Sequence, residues 1–570
     1  MPVIMRKSKT LDTVGNFIKD PALLLSVVVI WIFLILFVVI PIMKILSITF
    51  TEGGHFNLSG FGEILKKRYT LISARNSILL GTLVGLCGTA LGFFFAFTSV
   101  RTNLPKWWSR FLDWAIILPL ISPPFTMAIT VLFSFGPRGL ITYNLLGLEH
   151  SNVYGMWSTL FAETITYFPV SYITLKGILA GIDPTVEDMA FSLGSSRWEV
   201  FYKVTLPLST PGLANSFLLL FAASLADFAT PLILAGNSFP VLPTEAFLQI
   251  TGLFDLKGGA ILSFILLIPS FAVFFLQRYW VGRKNYVTIT GMSGSQTKFK
   301  SVGNKTRYFF LLVCLLAAVF ILYFYVLLLY ASLIEAFGAN NRFTLNHYKM
   351  IFTSGKDAIK DTLFIAFSGM LLGGLFGVVV GYITAKKKYF SRKLMELMAM
   401  INYSLPGTIV GIAFLITFNS RPLLLTGTAL IIILCNVSKY GAYGIRSTVA
   451  ILHQIHPGIE EASQSLGANS LSTFRRITIP LVLPGLFSGL GIVFIRSMTA
   501  ISATIFLVSL NWTLITVRIL ENMTELHLGV SAAFSVLVVV IVFAVTTGIS
   551  FCLKMVRQPG GMKITSLFGS

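Results

Sequence analysis

The chain has 570 residues, of which 55% are hydrophobic and only 11% charged, and its mean hydropathy is +0.83. A soluble globular protein carries about a quarter charged residues, so this balance excludes a soluble enzyme or binding module and requires a bilayer. The formal net charge of +21 is high enough for nucleic acid. The Lys and Arg residues, however, lie in short loops between apolar runs, as the positive-inside rule expects of a membrane protein with no nucleic-acid partner.

The chain opens on a basic segment, 1–21, with Arg6, Lys7 and Lys9. The apolar run that follows is too long for a signal h-region and lacks a small-residue cleavage site, so it reads as a retained first span. At about twenty apolar residues per crossing, spans are predicted near 22–44, 78–100, 111–135, 155–177, 213–235 and 258–279. A polar, basic linker follows at 281–307. Six more spans are predicted near 308–334, 360–385, 393–418, 422–446, 485–509 and 529–553, and then a tail at 556–570. The four cysteines, Cys87, Cys314, Cys435 and Cys552, all fall inside apolar runs without a CxxC, which predicts buried hydrophobes and no disulfide or metal framework.

Twelve spans put both termini on one side. Twenty-eight of the 43 basic residues fall in the termini, the linker and alternate loops, which predicts that these parts are cytoplasmic. The halves, 22–280 and 308–555, form a tandem repeat. A shift of 273 residues lays Ser224–Gly236 on Ser497–Ser509, and Leu79–Thr102 resembles Phe364–Lys387 at a slightly different offset. An even number of spans per half makes the repeats parallel, with a pseudo-twofold axis along the membrane normal and a path between them. The expected fold is all-α: twelve transmembrane helices in two tandem six-helix halves.

The most faithful copies are two polar loops. Glu187–Gly212 reads EDMAFSLGSSRWEVFYKVTLPLSTPG, and the stretch from Glu460 reads EEASQSLGANSLSTFRRITIPLVLPG. Each keeps a Leu-Gly pair, at Leu193-Gly194 and Leu466-Gly467, and the prolines Pro207 and Pro480 at matched spacing. Asp183-Pro184 and the acids after it suit a helix start. Gly194 permits a bend, and Ser195 or Ser196 can cap a second helix through Trp198, Val200, Phe201 and Val204 that Pro207 ends. In the second loop Ser470 or Ser472 would cap a helix carrying Leu471 and Phe474. Interfacial helices on lipid headgroups would explain the basic residues but not a Gly-to-Pro spacing kept twice. A polar surface made twice points to two identical partners.

These loops resemble the EAA motif of ABC-importer permeases, in which a short coupling helix docks on each ATPase subunit. Asp188-Met189-Ala190 with Gly194, and Glu461-Ala462-Ser463 with Gly467, stand at the motif positions, within loops 183–212 and 456–485. The departures are Asp for Glu, Met for Ala and Ser for Ala. The resemblance implies a type I importer fold. It also implies ATPase contacts through Glu187, Asp188, Gly194, Trp198, Pro207, Glu460, Glu461, Gly467, Phe474 and Pro480. The partners it implies are two copies of an ABC ATPase and a periplasmic or lipid-anchored binding protein, in a bacterial inner membrane. No GxxxxGK[ST] occurs: Gly303-Asn304-Lys305-Thr306 and Gly355-Lys356-Asp357 both fail it. ATP and Mg are therefore expected on the partner, with no cofactor on this chain, which is not itself an enzyme.

The stretches Ser224–Ile250 and Phe494–Ser509 are similar to the fused two-half permeases of the ferric-iron uptake family, which implies iron(III) as the substrate. Relatives assigned to organophosphates, thiamine or polyamines share the plan. An ion-coupled secondary transporter is the reading from another class. Ionisable residues within spans mark function. The first half has Glu163 and Asp227, whose repeat equivalents are Asn436 and Ala500; the second has Lys439 and Arg496, whose equivalents are Thr166 and Ala223. Either they line the translocation path or they pair with one another across the halves. Asp227 and Glu163 offer the hard oxygens that iron(III) takes, while Arg496 and Lys439 suit a phosphate. Tyr167, Tyr172 and Tyr440 are further candidates for the path. The histidines read as solvated, and Lys66-Lys67-Arg68 as a solvated loop, with docking of the periplasmic binding protein as the alternative.

Overall fold

The computed structural model describes residues 21–52, 54–102, 104–281, 303–387, 389–455, 458–468 and 470–556. The N-terminal segment, most of the linker and the C-terminal tail lie outside the described residues. Helices dominate. The named strands form two short antiparallel hairpins, Thr51–Glu52 with His55–Phe56 and Ile334–Ala336 with Asn340–Phe343.

Among the described residues eight helices are long and apolar enough to cross a membrane, and up to eleven if each of three bent pairs is one span. The bends explain why straight spans at 111–135 and 393–418 are not what forms. Ser122-Pro123-Pro124 separates Trp107–Ile121 from Thr126–Leu145 at 108°, and Leu405-Pro406 separates Arg392–Ser404 from Gly407–Phe418 at 105°. Proline lacks an N–H and biases its predecessor out of the helical region, so each Pro site breaks the ladder. A third bend, of 59°, falls at Asp183-Pro184. The helix Ala429–Leu452 is 24 residues long and carries Lys439 and Arg446; it stands 273 residues after Met156–Gly181.

Packing divides the chain differently from the repeat. One compact unit draws on Met1–Phe56, Gly355–Arg518 and Val540–Leu567, the other on Asn57–Ser354, Ile519–Val539 and Phe568–Ser570. The opening helix of each sequence half thus belongs with the body of the other. In the first unit, Phe37 meets Phe418 at 5.4 Å and Phe414 at 6.1 Å between ring centroids, and Asn402 Nδ2 donates to Phe37 O at 2.9 Å. In the second, Phe310 meets Phe97 at 4.8 Å, and the Tyr325 and Ser122 hydroxyls lie 2.7 Å apart. Lipid is as apolar as leucine, so close packing and interhelical hydrogen bonds, roughly 0.6–2 kcal/mol each, hold such helices together.

Small residues make that closeness available. A Cβ on Gly377 of Lys356–Lys386 would stand 2.6 Å from Gly444 Cα of Ala429–Leu452, so only glycine lets these backbones meet. The repeat extends to single hydrogen bonds. Ser77 Oγ accepts from Leu242 N at 2.8 Å, and Thr362 Oγ1 accepts from Ile515 N at the same distance. Each anchors the first turn of a ten-residue helix, Leu242–Thr251 or Ile515–Thr524. Of the cysteines, Cys314 and Cys435 are buried as expected. Cys87 and Cys552 are exposed on helix surfaces, which for an apolar thiol in lipid costs nothing.

Candidate functional site: two coupling loops and the charged helices

In the first loop Asp183 caps Pro184–Ser192, its Oδ1 accepting from Thr185 N at 2.9 Å and Thr185 Oγ1 at 2.8 Å. These bonds hold its exposed carboxyl below the ordinary carboxylate range. The helix stops at Gly194, whose φ of +87° is the left-handed conformation that glycine adopts freely. A Cβ there would touch nothing, so conformation and not space calls for glycine. Ser196 then caps Arg197–Val200 through a reciprocal box: its Oγ accepts from Glu199 N at 3.3 Å, and Glu199 Oε2 accepts from Ser196 N at 2.9 Å.

Pro207 does not end this helix. A π-helical turn, Phe201–Thr205, carries the chain directly into Leu206–Ala226, with Pro207 in its first turn. The widened turn absorbs the hydrogen bond that proline cannot donate. The second loop repeats the device with a π turn at Phe474–Thr478 and Pro480 at the start of Ile479–Met498.

Exposure sorts the predicted coupling residues. Trp198 is 72% exposed, and Asp188 is half-buried. Glu187 is buried against Arg101, so it faces the protein interior. Leu193 at 87% and Leu466 at 89% stand furthest out. The repeated Leu-Gly pair is visible in the sequence, but its leucine reads there as part of a turn; the structure shows it as a bare apolar side chain at each apex.

The second loop has Gly458–Ser465, then Gly467 at φ +85° with equally open space. The side chains of Glu460, Glu461 and Phe474 lie outside the described residues. Ser463, which replaces an alanine of the motif, lies 2.9 Å from Thr473 Oγ1, both buried. Their repeat equivalents are Ala190 and Val200, so two apolar side chains in one loop stand where the other has a hydroxyl pair.

The charged residues within the helices sort by unit. Glu163 is fully buried and accepts from Ser224 Oγ. Asp227, three residues beyond that serine and 3% exposed, accepts from Tyr167 OH at 2.9 Å and from Ala229 N and Thr230 N at 3.0 and 3.2 Å. The helix Leu206–Ala226 ends there, and Asp227 receives the first two amides of the short helix Ala229–Leu234 that follows. The two carboxylates are within electrostatic reach of each other. In the other unit Lys439 Nζ donates to Leu405 O at 2.7 Å, at the break before Pro406. Arg496 lies 5.9 Å from the Tyr443 ring centroid and within reach of Lys439. Tyr172 is tied to Asp113 at 2.9 Å and to Lys176 at 2.8 Å. Lys66, Lys67 and Arg68 are exposed at a helix junction. Among the described residues no group of three or more His, Cys, Asp or Glu comes together as a metal site.

Long apolar helices in a duplicated arrangement, carrying two matched loops with bare apolar apices, define the membrane subunit of an ABC importer. The chain belongs to the family of binding-protein-dependent transport system inner membrane components, whose model matches residues 88–286 and 377–553. It is 32% identical to the ferric transport system permease protein FbpB of Actinobacillus pleuropneumoniae, over 92% of this chain and 76% of that protein. It is 22% identical to the Fe(3+)-transport system permease protein FbpB 2 of Haemophilus influenzae, over 81% of this chain and 86% of that one. A molybdenum transport system permease protein, ModB of Escherichia coli, is 32% identical over 28% of this chain and 70% of its own length. The chain is a multi-pass inner-membrane transport subunit and not an enzyme; it works with a substrate-binding protein and an ATPase.

Proposed function

We propose that this subunit carries iron(III), delivered by its binding protein, across the inner membrane in twelve crossings, with both termini cytoplasmic. Two copies of the ATPase supply the drive, one on each coupling loop, and ATP and Mg bind there. The observation that carries the two-ATPase reading is the matched pair of apices, each an exposed leucine followed by a glycine, at φ +87° in one loop and +85° in the other. What supports iron is that relatives aligned over most of the chain are ferric transport permeases, together with the paired carboxylates Glu163 and Asp227, oxygen donors of the kind that ion takes. Glu163, Asp227, Lys439 and Arg496 line the path in this reading, and Asp188, Trp198, Leu193 and Leu466 meet the ATPase.

A second reading rests on Lys439 and Arg496, two cations that suit an oxyanion. Reconstituting the chain with its ATPase and binding protein separates the two. ATP-dependent entry of radioactive iron(III), unaffected by excess molybdate or sugar phosphate, is the expected result. Entry of an oxyanion in its place would overturn the iron assignment and leave the importer reading standing, whereas gradient-driven entry of iron without ATP would overturn the ATPase-driven reading.

A further inference from the structure

Arg101 ends the helix Arg68–Arg101 and is 3% exposed. Its guanidinium forks onto one carboxylate: Nη1 donates to Glu187 Oε2 at 3.1 Å, and Nη2 lies 3.0 Å from Oε1. Nη2 also reaches Leu179 O at 3.5 Å, near the end of Met156–Gly181. From the foot of the next helix Thr205 Oγ1 donates to Glu187 Oε1 at 2.8 Å. One buried ion pair therefore joins the cytoplasmic ends of three long helices to the coupling helix Pro184–Ser192.

We infer that the Arg101–Glu187 pair is the joint through which the first coupling loop moves the membrane helices, Arg101 being a positioning residue for transport. The inference rests on the importer reading. The coupling helix is two-faced: Met189 and, just past its end, Leu193 are exposed, while Glu187 points inward. A push received at Leu193 reaches Glu187 within two turns of the same short element. From there it passes to a fork that resists rotation as well as separation. Water cannot replace either partner without leaving a buried charge uncompensated, so the pair transmits displacement instead of slipping.

The same offsets place Lys386, Leu452, Glu460 and Thr478 where the first half has Arg101, Leu179, Glu187 and Thr205. An ammonium cannot fork onto a carboxylate as a guanidinium does, so the second half's sequence does not supply the same charged fork.

The test uses the complete importer, with ATPase and binding protein, in proteoliposomes. It compares wild type with Arg101→Lys and Glu187→Gln, each of which keeps a polar group but loses the charged fork. Iron uptake per ATP hydrolysed and the amount of ATPase retained are measured together. The joint predicts ATPase retained in both variants with uptake per ATP lowered about tenfold, and the exchange Arg101→Glu with Glu187→Arg recovering most of it. Unchanged uptake per ATP in Arg101→Lys would overturn the joint. So would uptake, hydrolysis and retained ATPase falling in proportion, the signature of a fold contact alone. Wild type that retains no ATPase would overturn the importer reading, and the joint with it.

Discussion

The two halves carry one backbone plan with two chemistries. At the loops they agree: the same bend at Gly194 and Gly467, the same bare leucine, the same π turn before a proline. Within the helices they diverge. Where Glu163 accepts from Ser224, the equivalents are Asn436 and Ser497, whose Nδ2 and Oγ are buried without a hydrogen bond among the described residues. Asp227 corresponds to Ala500 in the repeat, and Lys439 and Arg496 correspond to Thr166 and Ala223. In the proposed reading two copies of one ATPase would keep two contact surfaces alike, while a single substrate passing once imposes no such symmetry. The loops keep one form where the interior of the two halves differs.

The comparison breaks most violently where a charge is forced into the neutral rung. Asn436→Glu would bury a carboxylate where the Ser497 hydroxyl is the counterpart of the one Glu163 uses, but where Ala500 stands in place of Asp227 and its cap. It should cost about 3–5 kcal/mol, read as a lower midpoint of thermal unfolding in detergent. Glu163→Gln should leave that midpoint nearly unchanged, since the amide still pairs with Ser224, while uptake falls. Equal destabilisation by both would mean that the rungs are equivalent after all.

The loops give the next effect. A valine at Gly194 or Gly467 meets no atom but must adopt a left-handed backbone, a strain of about 1–3 kcal/mol. Each substitution should weaken ATPase retention by a similar factor, measured by pull-down from solubilised membranes. A large loss from one and none from the other would show that only one loop carries the contact. Smaller still, Ser196→Ala removes a cap worth about 1 kcal/mol and should loosen the first loop alone.

The smallest effect concerns acidity. The Asp183 carboxyl is lower than usual because Thr185 donates to its charged form. Its contribution is therefore full above the ordinary aspartate range and is lost as pH falls through the lowered value. Exchange of the Thr185 amide should stay slow, after correction for intrinsic rates, at neutral and mildly acidic pH. In Asp183→Asn that acid-side change should be absent.

Much of this was legible in the chain. Two loops copied at fixed spacing, spans of the right length and four ionisable residues among apolar neighbours can all be read directly. The exchanged opening helices cannot, because an apolar run such as Leu23–Phe50 carries no address for its partner. Asn402 and Phe37 are 365 residues apart. The bends at Pro123-Pro124 and Pro406 were written in the prolines but smoothed over by counting hydrophobic residues. Glu187 was assigned to the partner's side because it stands beside the motif; its true neighbour, Arg101, lies 86 residues upstream. Direction around a short helix depends on what packs there, and that is tertiary information.

The most direct measurement of the central claim is the mass of the intact detergent-solubilised importer. One copy of this chain with two ATPase subunits is the predicted composition, falling to one ATPase when a single loop carries the valine substitution. A complex holding one ATPase in the wild type, or none, would contradict the account.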